Sequence, residues 1–174
     1  MFSLPRLFPK TLLILVSTLL LVACSEPELD TKATQQPVEQ SESPVLAVYK
    51  DPNCGCCQKW IKHINEQGLQ SKVYDSQSMG QFKQDKGIAP QYRSCHTGVS
   101  NEGYVFEGHV PAKFILKFLE EKPQDAIGLS VPAMPIGTPG MEMGDKFMPY
   151  HVLLLKADGS NEIYAKIDNY QAQF

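Results

Sequence analysis

The chain has 174 residues, with 16 basic against 19 acidic side chains for a formal charge of −3, and it carries five cysteines and six methionines. That balance offers nothing for a nucleic acid to recognise. The length suits one domain of roughly 100 to 200 residues once the N-terminal segments are set aside.

Arg6 and Lys10 precede an apolar run from Thr11 to Ala23, shorter than the roughly 20 residues a membrane-spanning helix needs. Residues 1–23 therefore read as a signal peptide. The run ends Leu21-Val22-Ala23-Cys24, which resembles the lipobox of bacterial lipoproteins. The resemblance implies a lipid on Cys24, hence a membrane partner and a place on the periplasmic side of the cell envelope. Ser25 after it implies the outer membrane. Cleavage would remove two positive charges and no acid, taking the charge from −3 to −5. Residues 24–44 are rich in Glu, Gln, Pro and Ser, with too few large apolar side chains to bury a core, and read as a disordered tether. The folded domain is expected over residues 45–174.

Within it, Val45 to Lys50 reads as a strand. Cys57, Trp60, Ile61 and Ile64 then fall at i, i+3, i+4 and i+7 of a helix. Gly68 stops that helix, and Gln70 to Asp75 alternates as a second strand. Ser78 can cap a short helix to about Lys86, closed by Gly87 and Pro90. Residues 92–107, with a turn at Asn101-Glu102-Gly103, read as an inserted hairpin. Pro111 suits the start of a helix whose apolar face is Phe114, Ile115, Phe118 and Leu119. From Gly128 to Pro149 the density of Pro, Gly and Met argues against regular structure over most of the segment. Tyr150 to Lys156 and Asn161 to Ile167 make a hairpin around Ala157-Asp158-Gly159.

The chemistry concentrates at Cys54-Gly55-Cys56-Cys57, at the junction between the first strand and the first helix. A helix start presents unpaired N–H groups and the positive end of its dipole, which favour thiolate. Cys54 and Cys57 form a C-x-x-C pair able to make and break a disulfide, with Cys54 attacking and Cys57 resolving. Cys56 adds a third sulfur, which disulfide exchange does not need and a soft metal such as Cu(I) does. The β–α–β start, the helix-borne C-x-x-C and the later helix and hairpin look like an α/β thioredoxin-like fold, with an inserted hairpin and a Met/Pro/Gly-rich loop. Members of that fold set a cis-proline loop beside the cysteine pair, and Val131-Pro132 and Met148-Pro149 are the candidates.

Four motifs in order, Asn53-Cys54-Gly55-Cys56-Cys57, Ser94-Cys95-His96-Thr97, Glu107-Gly108-His109-Val110-Pro111 and Val131-Pro132-Ala133-Met134-Pro135, followed by Pro139-Gly140-Met141-Glu142, closely resemble the CopG-like copper-resistance proteins. These are thioredoxin-like periplasmic proteins. The resemblance runs from about Val45 to about Ile167. It implies a copper oxidoreductase that interconverts Cu(I) and Cu(II), with copper ions and envelope copper-efflux components as partners. Its metal-ligand set would be Cys54, Cys56, Cys57, Cys95, His96 and His109, with Met134, Met141 and Met143 from the loop.

Plainer roles compete at several positions. Cys95 could pair in a structural disulfide, and His109 could be a cap or surface residue. His63 is expected to face solvent, His151 to begin a strand, and Met79 and Met148 to be core. Trp60 is expected to pack beneath the site. Zinc is disfavoured because the spacing is not that of paired C-x-x-C motifs and methionine is not a usual zinc ligand. Copper oxidoreductase, thiol–disulfide oxidoreductase and passive Cu(I) buffer or chaperone are the three readings.

Overall fold

The computed structural model describes residues 43–174. The expected signal peptide, the lipid site Cys24 and nearly all of the tether lie outside the described residues. None of the described helices is long and apolar enough to cross a membrane.

The chain runs β1 (Val45–Lys50), α1 (Gly55–Glu66), β2 (Gln70–Asp75), α2 (Met79–Asp85), a 3-10 turn (Pro90–Tyr92), β3 (His96–Ser100), β4 (Val105–Gly108), α3 (Ala112–Glu121), β5 (Ala126–Val131), β6 (Tyr150–Lys156), β7 (Asn161–Ile167) and a closing 3-10 turn (Tyr170–Gln173). The fold is mixed α/β around one seven-stranded sheet in the order β2-β1-β3-β4-β5-β6-β7. The β1–β2 and β4–β5 pairs are parallel and each spans a helix, while the other four neighbours are antiparallel.

Strand alternation sorts the side chains into two cores. Leu46 and Val48 of β1, Phe106 of β4, Leu129 and Val131 of β5 and Val152 and Leu154 of β6 meet Trp60, Ile61 and Ile64 of α1 and Ile115 and Phe118 of α3. A smaller cluster of Ile88, Val99, Val105 and Leu155, with Tyr49 and Phe82 packed against it, collects the other face. The four apolar positions expected on α1 are its four buried residues.

Two expectations are corrected. The hairpin of β3 and β4 is no insertion, because it occupies the middle of the sheet between β1 and β5. Residues Gly128 to Val131, at the start of the segment expected to be irregular over most of its length, belong to β5, a strand with four consecutive buried residues whose apolar run is interrupted by Gly128 and Ser130. Gly128 is required there: a Cβ at that position would lie 1.8 Å from the Val105 carbonyl oxygen of β4.

His63 also departs from expectation. It is half-buried and its Nε2 accepts a hydrogen bond from the Ala112 N–H at 3.1 Å. The ring thus caps α3, whose Pro111 cap residue has no side-chain acceptor to offer. Burial holds the His63 pKa below its ordinary 6.5 against the pull of Glu142 and Glu66. Above the unfolded value the ring is neutral in both states. As pH falls below it, the unfolded chain takes up a proton that the native state resists, and stability is lost. Urea midpoints should therefore drop between about pH 7.5 and about pH 5.5, and His63→Gln, which keeps an acceptor but does not titrate, should drop less. Equal pH slopes for the two proteins would remove His63 from this role.

Candidate metal centre

Along one margin of the sheet, at the ends of its central strands, lie the cysteines and histidines expected at the site. β1 ends there at Lys50, and the loop 51–53 leads straight into Cys54, the N-cap of α1. β3 runs antiparallel to β1 and starts at the same edge, with His96 opposite Lys50. β4 returns to the edge beside β3, so that His109 follows its last residue. β5 is parallel to β4, with Gly108 opposite Val131, and it releases the methionine-bearing loop at the same place.

The sulfurs of Cys54, Cys56, Cys57 and Cys95 all lie within 4.8 Å of one another. Cys54 and Cys57 are joined as a disulfide, and among the described residues Cys56 and Cys95 are free. Cys56 Sγ lies 3.5 Å from Cys54 Sγ, and the Cys57 N–H donates to Cys54 Sγ at 3.3 Å. Cys95, His96 and His109 form a second group of closely spaced ligand atoms. Cys95 belongs to both, so six side chains from three elements make one continuous donor set.

The hydrogen bonds order this set. His109 Nδ1 lies 2.8 Å from the Pro139 carbonyl, which can only accept, so a neutral His109 carries its proton there and turns a lone pair on Nε2 toward Cys95 Sγ at 3.2 Å. Cys95 can then donate to His109 and accept from His96 Nδ1, also at 3.2 Å. His96 Nε2 is left buried with no hydrogen-bond partner. The Gly108 carbonyl pulls on the ring's proton affinity without giving Nε2 a partner. Burial, reinforced by His109 and Lys83, holds the His96 pKa well below 6.5, and burial also lowers that of His109. Burial pushes the Cys95 thiol up to about 12, with Cys56 adding to the shift. Both histidines are therefore neutral near neutral pH.

Three supports lie around it. Trp60 is fully buried, its ring 4.2 Å from that of His96, and its indole N–H donates to the Val110 carbonyl at 2.8 Å. Lys50, buried beneath the cysteine loop, donates to Asp75 at 2.8 Å and to the Asp51 carbonyl at 3.0 Å. Glu107 is fully buried and accepts from Ser94 N–H at 2.6 Å, from Thr97 Oγ1 at 2.5 Å and from the Lys83 ammonium. It grips the chain on both sides of Cys95-His96. The sequence reading missed Lys50, Lys83 and Glu107; for Lys50 and Glu107 a charged residue inside a strand pattern was the available signal.

The loop from Pro132 to Pro149 closes over the cysteines through its backbone. A Cβ on Gly140, at φ 90°, would lie 2.7 Å from the Cys56 carbonyl oxygen and 2.8 Å from Trp60 N. This contact with α1 lies between the two prolines expected to face the cysteine pair. Met134 and Met143 are exposed and Met141 is half-buried. Met148, expected in the core, is 52% exposed, and His151, expected to begin a strand, is exposed and follows Tyr150, the first residue of β6.

Residues 92–141 match a family described as "Protein of unknown function, DUF411". Two solved structures, titled "Copper resistance protein copG- Form 1" and "Form 2", are 40% identical to this chain with a TM-score of 0.68. The match covers 72% of this chain and 98% and 99% of theirs. No curated protein matches.

The Lys83–Glu107 pair makes a stability prediction. Glu107→Gln strands a buried ammonium and should cost about 3–5 kcal/mol, whereas Lys83→Met combined with Glu107→Gln removes both charges and should recover much of that loss. Urea denaturation of the single and double variants measures both. A single variant as stable as wild type would show that the pair does not hold the Cys95 segment.

Proposed function

We propose, because the chain belongs to the family of CopG copper-resistance proteins, that it binds copper ions as its substrate at Cys54, Cys56, Cys57, Cys95, His96 and His109 and exchanges electrons with them. The observation that carries this reading is the pair of ligand groups sharing Cys95. Thiolates are the soft donors that hold Cu(I), and imidazoles let the same pocket accept Cu(II). His96 presents Nδ1 to this group, 3.2 Å from Cys95 Sγ, and its Nε2 is buried without a hydrogen-bond partner. Met134, Met141 and Met143 are offered as loop thioethers that attend loading. The site's own groups prepare it for copper: Pro139 fixes the His109 tautomer, Glu107 fixes the turn bearing Cys95, and Gly140 covers the first turn of α1.

The β1-α1-β2 unit, followed by the antiparallel β3-β4 pair and α3, supports the thioredoxin-like reading. Three strands further along the sheet then extend it. The Cys54–Cys57 disulfide favours a second reading, thiol–disulfide exchange. It also bears on the first. Full thiolate ligation needs that bond reduced, so loading from this state takes two electrons.

Cys56 separates the two readings. Disulfide exchange needs Cys54 and Cys57 alone, so Cys56→Ala should keep most insulin-type reductase activity while binding fewer copper ions per chain. Cys57→Ala should damage both. Offered Cu(I) and Zn(II) together without oxygen, the reduced protein should retain copper. Wild-type copper binding by Cys56→Ala alongside strong reductase activity would hand the site to disulfide exchange.

Location is proposed on the lipobox-like Leu21-Val22-Ala23-Cys24: a lipid on Cys24 tethers the domain on the periplasmic side of the envelope, at the outer membrane. Labelled fatty acid should appear on the wild-type chain and not on Cys24→Ser. Equal labelling would refute the anchor.

A further inference from the structure

We propose that Cys56 and Cys95 close a second disulfide when the site is oxidised, so that the four clustered sulfurs store four electrons rather than two. The inference rests on the reading of this site as a redox centre and adds to it a bond that the structure holds open.

Cys54 and Cys57 are already joined, which leaves Cys56 and Cys95 as the two free thiols of the cluster, with sulfurs no more than 4.8 Å apart. A disulfide needs its sulfurs at about 2.0 Å, so the two side chains must close the remaining gap. Cys56 lies in the first turn of α1 and Cys95 immediately before β3, on segments that converge at the same sheet edge. Both cysteines are partly exposed, so an oxidant can reach them. Both are also held in place: Gly140 packs against the Cys56 carbonyl, and Glu107 holds Ser94 and Thr97 on either side of Cys95-His96.

His109 supplies the proton acceptor. Its Nε2 lone pair faces Cys95 Sγ at 3.2 Å while Nδ1–H is tied to the Pro139 carbonyl, the arrangement of a nucleophile, a base and a group that orients the base. With Cu(II) as oxidant, two thiols lose two protons and two electrons, one S–S bond forms, and two Cu(II) become two Cu(I). One proton leaves through His109 Nε2 and the other from Cys56 to solvent. A two-electron oxidant such as a diazene dicarboxamide gives the same bond and is itself reduced to the hydrazine.

The test uses the full chain carrying Cys24→Ser, so that only the four site thiols count. It is reduced, freed of reductant without oxygen, and oxidised in parallel with diamide or with Cu(II) in the presence of a Cu(I)-specific chelator. Diamide should take the free-thiol count from four to zero, and tryptic mapping without reduction should join peptide 51–59 to peptide 94–113. Cu(II) should yield about four Cu(I) per chain. Cys56→Ser should lose the peptide link and keep one free thiol while still closing Cys54–Cys57. Two thiols surviving full oxidation of the parent chain, or a link that persists in Cys56→Ser, would overturn the proposal. A link formed with diamide while Cu(II) goes unreduced supports the second disulfide and counts instead against copper as the electron acceptor.

Discussion

The buried Glu107 carboxylate is the constraint on which the site depends. It sits on β4, in the middle of the sheet, where an unpaired charge would be intolerable. Its oxygens are taken by Lys83 from α2, by the Ser94 N–H and by the Thr97 hydroxyl. Three separate segments are thereby committed to one geometry, and Lys83 adds a bond to the Ser94 carbonyl at 2.8 Å. The segment so fixed is the one that carries Cys95 and His96. A buried ion pair contributes little net stability compared with apolar packing, but it tolerates few alternative arrangements. Placing one here trades core stability for a defined position of two candidate ligands.

Much of this was legible in the residue pattern. The stripe Cys57, Trp60, Ile61, Ile64 is a helix signal because burial on one side and solvent on the other leave no other period. The same clarity holds for β1, β6 and β7. β5 was not legible because Gly128 and Ser130 interrupt its apolar residues, and the reason for Gly128 is the approach of the Val105 carbonyl, a fact of tertiary packing. The central place of the β3-β4 hairpin was hidden for a similar reason: strand order is set by which edges pair, and local sequence does not record it. The cysteines and histidines of the site were legible as chemistry. Their supports were not, since Lys50, Lys83 and Glu107 look like solvent-facing charges until the fold buries them. His63 was misjudged in the same way, its partner Ala112 lying 49 positions away.

The Cys54–Cys57 disulfide and the free pair beside it set two demands on one site. Ligation asks for thiolates, and oxidation removes them. A sulfur cluster this compact therefore cannot be full of copper and fully oxidised together, and its content must follow its redox state. Cys54, Cys56 and Cys57 belong to a helix start, whereas Cys95 stands just before β3, where burial raises its pKa to about 12. The four sulfurs are thus unequal.

That inequality bears on how an ion would enter. Burial raises the Cys95 pKa to about 12 and lowers those of His96 and His109, so none of the three carries a charge near neutral pH and the histidines offer a cation no repulsion. The Cys95 proton has an acceptor in Nε2 of His109, whose other nitrogen is pinned by Pro139. The loop that carries the methionines is the loop that supplies that carbonyl. The backbone of Pro139 and Gly140, rather than the methionine side chains, thus both orients the His109 ring beside Cys95 and covers the first turn of α1.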